Sequence, residues 1–295
     1  MTTQGTHTFE DLVAEGAAVP TDGWDFSWFE GRATEARPSW GYARSLAVRL
    51  TQATASLDLQ TGGGEVLAFA LDQAAAALDQ RASTQARAVS APDQQPPSRQ
   101  AHARPPRTPL LAAATEGWPP NVAKATALLR PHGIVVVATP EDAPLPFADA
   151  TFDLVSSRHP VKPQWAEIAR VLQPGGSYFG QHVGPRSVFE LVEHFLGPQP
   201  PEQSADRHPD RERAAAEAAG LEIVDLRAER LRIEFHDIAA VVHFLRKVVW
   251  MVPGFTVEQY EPQLRSLHER MESEGPFVAH SSRHLVEARK PTKLS

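Results

Sequence analysis

The chain has 295 residues, 42% of them hydrophobic and 22% charged, a formal net charge of −7 and no cysteine. That length and balance suffice for one large α/β domain with a cap or for two small domains, and they exclude a fibrous or wholly disordered chain. The missing cysteines exclude disulfides, thiolate metal sites and a cysteine nucleophile, and the acidic balance gives no general attraction to phosphate backbones.

Taken in order, an aromatic cluster of Trp24, Phe26, Trp28 and Phe29, then Trp40 and Tyr42, leads into an amphipathic stretch from Tyr42 to Leu50. This predicts an N-terminal helical cap over residues 1–50, ahead of a core over 51–295. Ala55 to Leu59 is a short apolar run ending in a glycine turn, Gly62 to Gly64, and Val66 to Leu78 has helical periodicity. Residues 81–108 hold five prolines, four glutamines and five arginines, with Val89 the one large aliphatic residue. Such a segment cannot bury enough apolar surface to offset its chain entropy, so it reads as a disordered insertion. It is expected at the N-terminal edge of the strands, away from any ligand.

Strands are then predicted over Leu110–Thr115, Ile134–Ala138, Phe152–Ser156 and Gly176–His182, with helices over Asn121–Leu129 and Gln164–Leu172 between them. This alternation implies right-handed crossovers and a doubly wound, mostly parallel sheet. Arg186–Leu196 and Arg211–Ala219 read as helices, and Leu221–Phe235 as strand with a bend near Ala228. Asp237–Trp250 and Val257–Glu274 are further amphipathic helices, and Phe277–Arg289 is extended. The late strands predict an antiparallel C-terminal edge, and the helices within 186–275 a lid on the acceptor side.

No apolar run approaches the roughly 18 residues of a membrane span, and the N-terminal residues lack a basic start followed by an apolar stretch. The expectation is a cytoplasmic protein. Of the twelve histidines, His280 and His284 are the one pair at i, i+4 spacing. They fall in a predicted strand without accompanying carboxylates, so no metal site is expected.

The most informative segment is Ser56-Leu-Asp-Leu-Gln-Thr-Gly-Gly-Gly-Glu65. A strand there delivers an acidic residue and a glycine turn to a helix N-terminus, where backbone can approach a ligand and free N–H groups are available. A dinucleotide oxidoreductase would place Gly-x-Gly-x-x-Gly at that turn to receive a pyrophosphate. The carboxylate ahead of the glycines repels phosphate and favours an ammonium group instead. The segment resembles motif I of class I S-adenosylmethionine-dependent methyltransferases, of the methyltransferase type 11-like group, written Asp-x-Gly-x-Gly-x-Gly. Asp58, Gly62 and Gly64 match it, and Gln60 stands where the first glycine would be.

Three further stretches carry the resemblance. Ala114-Thr-Glu116-Gly-Trp118 ends the second strand, where the family has an acidic residue that holds the ribose hydroxyls; Glu116 would be that residue, and Trp118 either covers the adenine face or packs as core. Thr139-Pro-Glu-Asp-Ala-Pro-Leu-Pro-Phe147 resembles the acidic loop, in which Glu141 or Asp142 accepts a hydrogen bond from the adenine amino group, Asp142 being preferred. Arg170-Val-Leu-Gln-Pro-Gly-Gly176 resembles the turn into the fifth strand. The resemblance implies a Rossmann-like fold, S-adenosylmethionine as cofactor and methyl transfer to a small-molecule acceptor. Nucleic acid and membrane partners are not expected. An RNA or protein methyltransferase, or a non-catalytic S-adenosylmethionine-binding protein, are the competing readings.

For the chemistry, Ser156-Ser-Arg-His-Pro160 ends strand four at the ligand edge of the sheet. His159 is the first candidate for a base or an acceptor-orienting group, Arg158 for an anion clamp, and His182 after strand five is a second base candidate. For His159 the alternative is a loop-shaping role ahead of Pro160.

Overall fold

Five consecutive buried residues, Ala55–Leu59, form the centre of the sheet (strand β2) in the computed structural model, which describes residues 7–21, 26–89 and 111–292. They pair in parallel with β3 (Leu111–Glu116) on one side and β5 (Phe152–Arg158) on the other. A strand buried on both faces tends to read as a near-continuous apolar run, and β2 departs from this at Ser56 and Asp58, which are buried polar residues. Beyond β3 lies β4 (Val135–Ala138), and beyond β5 lies β6 (Leu172–Val183), both parallel to their neighbours. With β1 (Ala33–Glu35), β7 (Glu222–Phe235) and β8 (Phe277–Arg289), the order is β1-β7-β8-β6-β5-β2-β3-β4. β1 runs antiparallel to β7, and the Gly175–Lys290 and Gly184–Ser282 hydrogen bonds set β8 antiparallel to β6. The sheet is thus mostly parallel, with antiparallel strands at the C-terminal side.

Helices alternate with the strands: α1 (Phe9–Ala18), α2 (Tyr42–Leu50), α3 (Glu65–Val89), α4 (Pro119–Leu129), α5 (Trp165–Val171), α6 (Phe189–Leu196), α7 (Pro209–Ala218), α8 (Ile238–Lys247) and α9 (Glu261–Glu274). Several differ from expectation. α3 runs on to Val89, so the first nine residues of the 81–108 segment are helix: Ala and Arg favour helix, and the first proline comes only at Pro92. Residues 90–108, like Trp24 of the aromatic cluster, lie outside the described residues. β1 is a strand inside what reads as a helical cap; three residues are too few to show a period. β7 is continuous from Glu222 to Phe235, through Ala228. α9 starts at Glu261, where Pro262 takes a first-turn position that its missing N–H and fixed φ suit.

The chain divides into two units. The larger comprises residues 39–182, 212–227 and 285–295. Its strands alternate inward residues between two clusters. Ala55, Leu57 and Leu59 join Trp165, Ile168 and Ala216 on one face, while Leu154 and Phe179 join Leu46, Leu50, Leu67 and Leu129 on the other. The Phe179 ring stacks on Tyr42 at 5.2 Å and carries the Arg49 guanidinium at 3.8 Å. The smaller unit comprises residues 1–38, 183–211 and 228–284. Its core joins Phe9 and Val13 to Leu191, Phe195, Val241 and Leu264. Thr8 and Asp11 close a reciprocal capping box on α1, and Arg246 donates to the Gly16 and Val19 carbonyls at its other end.

Arg170 ties the acidic loop to α5. Its guanidinium pairs with Glu167 and Asp149 and donates to the Leu145 and Phe147 carbonyls, while Glu167 accepts from Leu145 N. Replacing it strands two carbonyls and a carboxylate. Arg170→Ala is expected to lower the stability by about 2 kcal/mol, read as a shift of the urea midpoint at unchanged slope; an unchanged midpoint would show that the loop does not depend on it.

Candidate functional site

The parallel register places Asp58 beside Ala114 of β3 and Ser156 of β5. In-register residues of parallel strands share a face, and the Ser156 hydroxyl accordingly donates to Asp58 Oδ1 at 2.5 Å. Asp58 is 8% exposed. Burial pushes its carboxyl up to about 6, against the pull of the Ser156 and Thr61 hydroxyls and the positive field of Arg158, all of which favour the charged form. A carboxyl in that range changes charge easily near neutral pH, and a cation placed beside it would hold it ionised.

The turn after Asp58 is tied to the ends of β3 and β4. Gln60 adopts φ +51, the left-handed conformation that glycine would take without cost at the same place. Its own bonds hold it there: Gln60 N donates to Thr115 Oγ1 at 3.1 Å, its Oε1 accepts from Gly117 N at 3.2 Å and its Nε2 donates to the Thr139 carbonyl at 3.3 Å. Thr61 N adds a bond to the Thr115 carbonyl. Gly62 has φ +65 with open space where a Cβ would stand, whereas at Gly64, φ +88, a Cβ would press on Leu129 at 3.0 Å. Gly62 therefore leaves room beside the backbone, and Gly64 lets α3 approach α4.

Glu116, 6% exposed, spends its carboxylate on main chain. Oε2 accepts from Gly62 N at 2.7 Å, and Oε1 from Gly117 N at 3.1 Å and Trp118 N at 3.0 Å. Trp118 is 41% exposed and does not pack as core.

Between these tips lies a cleft lined by Leu59, Gln60, Thr115, Glu141, Ser157 and Tyr178, among others. About 390 Å³ of free space opens to solvent, but water centres can occupy only about 30 Å³ of it, room for about two waters. Glu141 lines this cleft and its Oε1 accepts from Val161 N at 2.7 Å; Gln164 holds the loop by donating to the Glu141 and Ala143 carbonyls. Asp142 is exposed and is not among the lining residues.

Arg158 is exposed at the end of β5 and acts electrostatically on Asp58 and on Tyr42. His159 has φ +58, donates its N–H to the Gln181 carbonyl, and has Nε2 3.0 Å from Gln181 Nε2. His182 is buried between Tyr178, whose hydroxyl lies 2.6 Å from Nε2, and Glu212, 2.7 Å from Nδ1. Burial keeps the Tyr178 hydroxyl protonated, well above its ordinary range. The sequence reading brought Asp58, Gln60, Gly62, Glu116 and Glu141 to one sheet edge; it passed over Thr115, Ser156, Gln181, Tyr178 and Glu212. Ser156 is findable in principle, being the residue that a parallel register must set against Asp58. Glu212 comes from a distant helix and leaves no signal in spacing.

Residues 107–180 match the family model described as a methyltransferase domain. No curated protein matches the sequence. Among solved structures, a candidate methyltransferase from Bacillus halodurans is 16% identical with a TM-score of 0.51, over 85% of this chain and 99% of that one. A protein from Bacillus subtilis is 16% identical over 84% and 98%, with a TM-score of 0.49. A candidate sarcosine dimethylglycine methyltransferase from Galdieria sulphuraria is 15% identical over 85% of each, with a TM-score of 0.46. No helix among the described residues is long and apolar enough to cross a membrane. The parallel sheet thus has a Rossmann-like fold similar to that of the Bacillus halodurans protein, and residues 107–180 match a methyltransferase domain.

Proposed function

We propose that the protein transfers a methyl group from S-adenosylmethionine to a small-molecule acceptor. The observation that carries the reading is a buried carboxylate, Asp58, near the tip of β2, followed by a turn whose Gly62 N–H is held by a second buried carboxylate, Glu116, at the tip of β3. Asp58 is suited to an ammonium group, because a cation relieves the cost of its burial. Glu116 offers two acceptor oxygens to a vicinal diol in exchange for its present backbone N–H donors, and Glu141 or Asp142 offers an acceptor to an adenine amino group. Bound S-adenosylmethionine supplies an electrophilic methyl on a sulfonium sulfur. The chain's own part is to hold donor and acceptor in line and to exclude water.

Gln60 favours a second reading, binding of the cofactor without transfer. Its side chain spans the tips of β3 and β4 where the family pattern has a bare glycine, and the cleft beneath it is narrow. Turnover separates the two: formation of S-adenosylhomocysteine with any acceptor supports transfer, and tight binding with no product from a broad acceptor panel supports the alternative.

Asp58→Ala and Glu116→Ala are each expected to weaken S-adenosylhomocysteine binding at least tenfold in calorimetry while both variants stay folded; unchanged affinity in both would remove the proposed site. For the unaltered protein, affinity should rise with pH up to about 6 and level off above it, because the ligand's ammonium selects the ionised Asp58. The same group sets a stability signature without ligand. Its folded pKa lies above its ordinary 3.8, so folding gains from protonation below that value and loses the gain as pH rises through about 6. Asp58→Asn should therefore melt higher than the unaltered protein above pH 6, with the difference shrinking in acid; a lower melting point throughout would contradict the burial cost.

A further inference from the structure

Two histidines stand at the ligand edge of the parallel strands, and their hydrogen bonds fix what each can do. The Trp40 indole N–H can only donate, and it lies 2.7 Å from Gln181 Oε1. The buried Gln181 carboxamide is thereby oriented with its oxygen on the indole and its NH₂ toward His159. That NH₂ also can only donate, across 3.0 Å to His159 Nε2. Nε2 is the acceptor, and the single proton of the neutral ring sits on Nδ1.

His182 reaches the same condition by another route. Glu212 Oε2 lies 2.7 Å from Nδ1, and a carboxylate there can only accept, which places a proton on Nδ1. Nε2 then takes the proton of the Tyr178 hydroxyl at 2.6 Å if the ring is neutral, or carries its own if the ring is charged. A Cβ at Gly180 would lie 2.4 Å from the Tyr178 oxygen and 2.6 Å from His182 Nε2, so only glycine leaves space for this contact. In neither ring does a nitrogen turn a lone pair to a substrate.

A neutral hydroxyl or ammonium acceptor must shed a proton when it is methylated. An anionic acceptor sheds none. Its lone pair forms the new bond to the methyl carbon, the carbon–sulfur bond breaks with its pair remaining on sulfur, and one negative and one positive charge are consumed. Lys162 lines the cleft together with Glu141, whose carboxylate accepts from Val161 N, and Arg158 lies exposed at the end of β5, so two cations stand near the approach to receive an anion. We propose that the acceptor is an anion, a carboxylate, phenolate or thiolate, that attacks as it arrives, with His159 and His182 acting as positioning residues and not as bases. This rests on the methyl-transfer reading above and narrows it to a substrate class.

The tautomers are read directly. In protein labelled with ¹⁵N-histidine, long-range proton–nitrogen correlation at mildly alkaline pH should show both rings protonated at Nδ1, with the His159 and His182 signals assigned by their Asn variants. Gln181→Glu should move the His159 proton to Nε2, because a carboxylate accepts there. Should that variant not fold, Trp40→Phe, which releases the carboxamide, should give a tautomer mixture. An unprotonated Nδ1 on either ring overturns the proposal. The charge is tested by titrating benzoate and benzylamine into protein saturated with S-adenosylhomocysteine. Benzoate should shift the amide signals of residues 158–162 at the lower concentration; a stronger response to benzylamine, or none to either, overturns the anionic class. Failure of S-adenosylhomocysteine to bind appears in the calorimetry beforehand and would defeat the methyltransferase reading instead.

Discussion

A carboxylic acid buried in the middle of a parallel sheet is the constraint around which the larger unit is arranged. Asp58 occupies a strand that is covered on both sides, so its charge must be met from within the sheet edge, by the Ser156 hydroxyl beside it and by the residues of the turn that follows. The strand register supplies the first, and the turn supplies the rest. Because the compensation is incomplete, the carboxyl stays near neutral pH in its titration and ready to respond to a cation. A site with that property keeps binding energy in reserve for a charged ligand and gives up stability for it.

The neighbouring carboxylate solves its burial differently. Glu116 accepts three main-chain N–H groups, and Gln60 bridges two strand tips, so these main-chain groups are met by side chains of the turn and the strand ends. A ligand that enters must offer equivalents for each bond it breaks, since a buried donor left unmet costs about 1–3 kcal/mol. A ribose and an adenine carry hydroxyl and amino groups of the required kinds. On the proposed reading the network selects as well as closes: a ligand of similar size without those groups would open the cleft at a loss.

Hydrogen-bond chains that begin at an unambiguous partner settle the state of groups several bonds away. Trp40 can only donate and an ionised Glu212 can only accept, and from those two fixed points the orientation of Gln181 and the proton positions on both histidines follow. Chemistry at the sheet edge is limited in this way by residues that touch no substrate.

The residues themselves determined the alternation of strands and helices, the parallel core, and the set of acidic and glycine positions at the tips of β2 and β3. Each of these rests on local periodicity or on contiguous motifs, which physics within a few residues enforces. The helix continuing past Arg81 and the three-residue β1 lay at the limit of such signals, one hidden by a proline-rich composition beginning only later and the other too short to have a period. What tertiary structure decided was which polar groups meet. That Glu116 closes on Gly62, that Gln60 stands in a glycine's conformation and clasps two strands, and that His182 is held by Glu212 depend on contacts between residues 30 to 79 positions apart. Hydrogen bonds across such separations leave no trace in spacing, because the partner is chosen by the register of the sheet and the packing of helices against it.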